Sequence, residues 1–378
     1  MNDAIADNQG SLPLVIGVDI GGTQIRAAVL QGARLLSRVS TLIGENPVPD
    51  SVIPRIFTAI QQALDEAHVT LDSIAGIGVA APGPLDNHTG IIYSPPNLPA
   101  WKRVPLRDIF QQHYQPYQFP IYVENDANAA ALGEYLFGAG RGCRDMVYLT
   151  VSTGIGGGVI IDGKLIEGAS GTAAELGHMS IDWKGERCNC GNVGCLEYYA
   201  SGTAIARMAN EAIAAGQGAE LLAFVDIMQQ HPNTIPDRAA LPDAQDMRTQ
   251  PLIEADDIAG VVEYPHVNAR TVARAAEAGV PLARALIAQA GEALGVGLVN
   301  IIHIFNPERI ILGGGVTMMG DMLMEPALRI TKERAMQAPY KAVRISMAEL
   351  GANAGLVGAG GLVYYYQGGG KPGPYPVR

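Results

Sequence analysis

Leu14-Val15-Ile16-Gly17-Val18-Asp19-Ile20-Gly21-Gly22-Thr23-Gln24-Ile25-Arg26-Ala27-Ala28-Val29-Leu30 is an apolar run that ends in an acid, turns through two glycines and a threonine, and resumes as a second apolar run. Short apolar runs bounded by glycine read as buried strands. A third β-like stretch, Arg34 to Leu42, follows Gln31-Gly32-Ala33. Val48 to Ala67 then has helical periodicity, with Ile53, Ile56, Phe57, Ile60 and Leu64 on one face. Ile74 to Val79 is another buried strand, closed by the turn Ala81-Pro82-Gly83-Pro84. Strands alternating with helices in this way make a layered α/β domain.

The pattern restarts farther along. Asp145 to Val151 is an apolar strand, Ser152 to Gly158 a glycine turn, Val159 to Asp162 another strand, and Gly163 leads into Lys164 to Glu167. Each half therefore opens with strand, glycine turn, strand, turn, strand, which is a duplicated domain plan and not a short tandem repeat. Thr271 to Ile304 is helical with a break near Gly279-Val280-Pro281, and Asn306-Pro307-Glu308 stops it. Arg309 to Leu312 runs as a strand into Gly313-Gly314-Gly315, and Gly351 to Tyr366 is a final glycine-spaced helix. The expected division is an N-terminal α/β domain over 1–125, with the helix at about 354–366 packing back on it, a larger α/β domain over 126–353, and a flexible tail over 367–378.

Composition narrows the function classes. The 378 residues are 48% apolar and 17% charged, which excludes general disorder. A net charge of −11 argues against nucleic acid or an anionic membrane held by bulk electrostatics. The best uninterrupted apolar run, Ala293 to Phe305, is short for a membrane span and contains Asn300 and His303. Met1 to Leu12 is polar and acidic, unlike a secretory signal, so a cytoplasmic location is expected. The stretch 216–266 holds nine acids against two arginines and reads as a solvated surface insertion whose removal, from Gly218 to Tyr264, leaves activity near normal.

Three groups of residues carry chemistry. Asp19, Gly21, Gly22 and Thr23 at a strand end suit phosphate, since glycines let backbone N–H groups approach an anion and the acid can hold Mg²⁺; an ordinary hairpin turn is an equal reading. Thr153 to Gly158 and Gly313 to Gly315 are two more glycine turns at strand ends, and three such turns can surround one nucleotide. Glu124-Asn125-Asp126-Ala127-Asn128 follows the apolar strand Ile121 to Val123 and precedes an Ala-rich helix. Asn125 and Asp126 there are either helix caps or, for Asp126, a general base that takes a hydroxyl proton during phosphoryl transfer.

The third group is His178, Cys188, Cys190 and Cys195, one imidazole and three thiols at compact spacing, with Gly191 and Gly194 letting the chain fold around an ion. Four protein ligands make a closed, structural zinc site. Glu175 and Glu197 flank it, so the ion would order polar side chains suited to a polyhydroxylated ligand.

Together these residues resemble the ROK family of sugar kinases and sugar-responsive repressors, most closely its glucokinase-type members. The resemblance runs from Leu14 to about Tyr366, apart from the acidic insertion. Its most specific part is Gly177-His178 followed by Cys188-Asn189-Cys190-Gly191-Asn192-Val193-Gly194-Cys195-Leu196-Glu197, the family's C-x-C-G-x-x-G-C-x-E; Asp19 to Arg26, Asn125 to Asn128 and Thr153 to Gly157 also match. The resemblance implies an actin-like, RNase H-like fold with two α/β domains around a hinged cleft. It further implies Asp126 as base, with Gly83, Asn97, Asn125, Glu175, His178 and Glu197 binding the sugar. ATP with Mg²⁺ would lie against Asp19, Gly21, Gly22, Thr23, Thr153, Gly154, Gly156 and Gly157, with Gly314 and Gly315 near the adenosine.

The implied reaction is hexose phosphorylation by ATP, with glucose the first choice. Fructose, mannose, allose and N-acetylmannosamine are alternative acceptors, and polyphosphate is an alternative donor. A sugar-sensing repressor is the alternative from another class; it is disfavoured because only thirteen residues, none of them Lys or Arg, precede Leu14, and because Asp19 and Asp126 both stand. The family also implies a homodimer or homotetramer.

Overall fold

The computed structural model describes residues 12–230 and 267–369, so 1–11, the acidic part 231–266 and the tail 370–378 lie outside the described residues. Two sheets built to one plan organise the chain. In the first, β1 (Leu14–Ile20) pairs antiparallel with β2 (Gln24–Gln31), which in turn pairs with β3 (Arg34–Leu35) and β4 (Val39–Leu42). Helix α1 (Pro49–Ala67) leads to β5 (Ile74–Ala81), parallel to β1. A small sheet of β6 (Leu85–Asp86), β7 (Ile91–Ile92) and β8 (Val104–Pro105), then α2 (Leu106–His113), precede β9 (Ile121–Asn125), parallel to β5.

The expected third strand over Arg34 to Leu42 is split in two. Val29 explains the break: its carbonyl accepts from Leu36 N (2.9 Å) and its N–H donates to the Ser37 hydroxyl (3.2 Å), so a side chain takes a place in the ladder. Helix α1 begins with a proline in its first turn, where no amide partner is lost, and stops at His68 in the left-handed region, φ 54°.

Helix α3 (Asp126–Phe137) leads into the second sheet: β10 (Met146–Val151), β11 (Ile155–Ile161) and β12 (Lys164–Leu165). The connection that follows contains α4 (Leu196–Ala200), α5 (Gly202–Ala214), α6 (Ala219–Gln230), α7 (Ala269–Glu277) and α8 (Pro281–Phe305). Then come β13 (Arg309–Gly313), α9 (Asp321–Arg334), α10 (Gln337–Ala342), β14 (Arg344–Met347) and α11 (Ala354–Gln367). The strand orders β3-β2-β1-β5-β9 and β12-β11-β10-β13-β14 correspond position by position, as do the strand directions.

Two expectations need correction. Gly156, Gly157 and Gly158 are not in the turn but in β11, the strand beside α3. A Cβ at Gly156 would stand 3.0 Å from Ala127 Cβ, at Gly157 2.6 Å from Leu176 Cδ1, and at Gly158 2.4 Å from Ala131 Cβ, so close packing accounts for all three. The stretch from Gly216 onward does not begin as a surface lobe either. Helix α6 buries Leu221 and Phe224 completely in the core of the second half, so its first turns belong to the fold.

The glycines of α11 let it lie on the first sheet and on α3. A Cβ at Gly78 in β5 would fall 1.7 Å from the Ala359 carbonyl oxygen, and one at Gly358 1.8 Å from that of Ala129. Helix α8, 25 residues with an 18-residue stretch at mean hydropathy 1.6, extends well beyond the apolar run Ala293 to Phe305 and is long and apolar enough to cross a bilayer. Leu286, Ile287, Leu294, Leu298, Ile301 and Ile302 on it are buried in the second core, which is what its apolarity serves.

Candidate active site

The C-terminal ends of β1 and β9 and the start of α3 bring the acids together. Asn125 caps α3 through Oδ1, which accepts from Ala127 N (2.9 Å) and Asn128 N (3.3 Å), so the capping reading of this residue holds. Its Nδ2 faces Gly83, where a Cβ would come within 3.0 Å. Asp126 Oδ1 accepts from Ala127 N (2.8 Å). Asp126 is exposed to solvent although protein atoms crowd its carboxylate. Burial, then the charge of Asp19, push its pKa up from 3.8 to about 6, with a smaller push from Glu175.

Asp19 closes β1 beside Arg26, whose Nη1 lies 3.4 Å from Oδ2; burial raises Asp19, and Arg26 draws it part of the way back. Gly21 N donates to Gln24 O (2.9 Å), which closes the β1–β2 turn and also holds the Gly22-Thr23 backbone in place. Asn97 packs on that turn: a Cβ at Gly22 would stand 3.0 Å from its Nδ2. Asp19, Gly22, Asn97 and the α3 N-terminus thus form one wall.

In the second half the turn Ser152-Thr153-Gly154 is closed by Ser152 N donating to Gly154 O (2.8 Å). The chain that follows Cys195 grips it from outside. Gly202 N donates to Ser152 O (2.7 Å), Thr203 N and Oγ1 both donate to Thr153 O (3.1 and 2.7 Å), and Ile155 N donates to Glu197 Oε2 (2.7 Å). Beyond the turn opens a cavity of about 780 Å³. Thr153 and Gly315 line it, and so do Gly202, Thr203, Arg270 and Met318, which the sequence reading did not single out. Gly314 has φ 93° and sits where a Cβ would lie 2.3 Å from Val151 O, so it shapes the turn, whereas Gly315 faces open space.

A signal for the missed residues was present in Ser201-Gly202-Thr203, a capping serine before an amphipathic run; Ser201 Oγ indeed accepts from Ala204 N (3.1 Å) at the start of α5. Glu124 was also missed. It is fully buried, accepts from Asn87 Nδ2 (2.9 Å), Asn128 Nδ2 (3.1 Å) and Asn125 N (2.8 Å), and so anchors the start of α3. Tyr366 of α11 donates to Glu167 Oε1 (2.6 Å) and lies 3.3 Å from Glu124 Oε2, joining the two halves beneath the site.

His178, Cys188, Cys190 and Cys195 are brought together, with one ligand atom of each within 4.8 Å of the others. Cys190 Sγ and Cys195 Sγ are 3.6 Å apart. Nδ1 of His178 is buried and has no hydrogen-bond partner, while Nε2 faces Glu175 Oε2 at 3.9 Å. An orphaned imidazole nitrogen beside three thiols fits a metal of zinc's chemistry. Cys143 stands apart, its Sγ bonded to Gly140 O (2.8 Å).

Two sheets of matching strand order and direction, joined through α3, have the plan of the actin-like ATPase architecture, and solved structures agree. A ROK family glucokinase from Streptomyces griseus in complex with glucose and AMPPNP superposes with a TM-score of 0.70 at 32% identity, covering 92% of this chain and 98% of that one. The ROK family model matches residues 15–365, and the chain belongs to the ROK family. It is 34% identical over 351 residues to the glucokinase of Streptomyces coelicolor, covering 92% of this chain and 97% of that protein. It is 29% identical to the xylose repressor of Caldicellulosiruptor bescii, covering 92% of this chain and 77% of the repressor.

Proposed function

We propose that the protein is an ATP-dependent hexose kinase with glucose as its acceptor, converting glucose and ATP to glucose 6-phosphate and ADP. Two observations carry this reading: the Asp126 carboxylate, pushed up to about 6 by burial and then by Asp19, and a cavity of about 780 Å³ that opens beside the Ser152-Thr153 turn. Similarity to glucokinases on both comparisons supports the choice of sugar.

In this reading Asp126 takes the proton of the attacking hydroxyl. The hydroxyl oxygen bonds to the terminal phosphorus of ATP, and the bond to the bridging oxygen breaks to release ADP. Asn97, Asn125 Nδ2, Glu175, His178 and Glu197, with Gly83 leaving room, orient the sugar. Gly21, Gly22, Thr23, Thr153, Gly154 and the N-terminus of α5 receive the phosphates, and Gly314 and Gly315 border the adenosine. Asp19 is the residue to hold Mg²⁺, which neutralises phosphate charge when bound. His178 and the three cysteines hold a structural Zn²⁺, leaving Nε2 of His178 for the ligand side.

In this reading the protein works in the cytoplasm as a homodimer or homotetramer, with the sugar and ATP as its partners. The test is ADP release from Mg-ATP against a panel of free hexoses and N-acetylhexosamines. Glucose-dependent turnover supports the reading, and turnover with another sugar alone keeps the mechanism and changes the acceptor. Silence on every sugar with ATP and with polyphosphate refutes it and leaves a binding role of the kind the xylose repressor's similarity represents.

A further inference from the structure

Glu197 holds two positions at once. It lies two residues beyond Cys195, and its charge bears on Glu175 across the cluster. Its Oε2 is also the acceptor of the Ile155 amide at 2.7 Å, and a Cβ at Gly154 would stand only 2.4 Å from that oxygen. The carboxylate therefore lies directly on the backbone of the turn that faces the cavity. A side chain at residue 154 would push that oxygen aside.

We propose that Glu197 is a positioning residue that couples the two substrate sites: Oε2 holds the Thr153-Gly154-Ile155 backbone in its phosphate-receiving shape, while Oε1 stays on the acceptor side with Glu175 and His178. This rests on the kinase reading of the site. A carboxylate shared in this way makes each substrate sense the other. Sugar that orders Glu197 orders the turn, so it tightens nucleotide binding, and by linkage nucleotide tightens sugar by the same factor. A residue serving only the sugar would leave nucleotide affinity in the absence of sugar untouched.

The experiment measures binding of Mg-AMPPNP by calorimetry to wild type, Glu197→Ala and Glu197→Gln, without and with glucose, alongside hydrogen exchange at the Ile155 amide. Glu197→Ala is expected to weaken nucleotide binding without sugar by about tenfold, the loss of one hydrogen bond to a charged group, and to speed exchange at Ile155. Glu197→Gln keeps an amide oxygen for the Ile155 N–H. It is expected to restore nucleotide affinity and slow exchange while losing the tightening caused by glucose. Wild-type nucleotide affinity and slow Ile155 exchange in Glu197→Ala overturn the proposal. Should Glu197→Ala not fold, a Glu197→Gln protein in which glucose still tightens nucleotide as in wild type overturns it equally. Failure of wild type to bind nucleotide at all refutes the kinase reading, and rapid Ile155 exchange in wild type refutes the hold on the turn independently.

Discussion

Replacing Asp126 by Asn separates what this carboxylate does for chemistry from what it costs the fold. The side chain keeps an acceptor for the Ala127 amide, so the start of α3 is preserved. A rise from 3.8 to about 6 is roughly 2 units, or about 3 kcal/mol at ~1.4 kcal/mol per unit. Because the carboxylate is open to solvent, screening reduces this to ~1 kcal/mol. The sign follows from the direction: a raised carboxyl contributes stability that is fully present below the unfolded value near 3.8 and is lost as pH climbs through about 6. Asn stays neutral and so avoids the loss. Asp126→Asn is expected to melt about 2 °C higher than wild type at pH 8, at ~1 kcal/mol, with the gain shrinking towards pH 4. Turnover is expected to fall by at least roughly 10²-fold, the low end for a lost general base. In wild type, kcat/KM is expected to fall as pH drops through about 6. Thermal melts across pH and steady-state kinetics on the same preparations check both. Near-normal turnover removes Asp126 from the base role, and a stability gain independent of pH refutes the electrostatic account of its pKa.

The cysteine cluster is expected to carry one zinc per chain by elemental analysis, lost in Cys188→Ser and retained in Cys143→Ser, since only Cys188 belongs to the group around His178; a strong chelator is expected to lower the melting temperature of wild type. Phe224→Ala is expected to destabilise by about 3–5 kcal/mol in denaturant titration, the range for emptying a fully buried phenyl site. A deletion starting at Gly218 is expected to unfold the protein for the same reason, so only cuts confined to 231–266 test the acidic stretch. Tyr366→Phe removes the hydroxyl between Glu124 and Glu167 and is expected to cost ~1–3 kcal/mol, read in the same titration; an unchanged midpoint counts against the bridge.

Much of the fold was legible because its signals are local. The β1–β2 hairpin, α1 with its opening proline, and the α7–α8 break at Gly279-Val280-Pro281 all sit where apolar period and breaker residues place them. The second glycine turn was read too long, because Gly156 to Gly158 carry a turn's composition but serve the approach of α3 and Leu176 to β11. The stretch after Gly216 was read as solvated from its overall charge, which hid the buried Leu221, Phe224 and Val225 in its first helix.

The chain by itself determined which groups could be assembled: four residues able to ligate a metal within a single segment, a carboxylate at the head of a capped helix, and two copies of a strand plan. Close spacing along the backbone is enough to fix such groups, since few bonds separate them. Tertiary structure alone decided how they are tuned and joined. Asp126 is raised by burial, then by Asp19 at the end of β1 and by Glu175 far along the chain, and the turn at Thr153 is held by Glu197, Gly202 and Thr203, some fifty residues later. Charge and hydrogen bonding act through space over a few ångströms, and only the packing of the two sheets sets those distances.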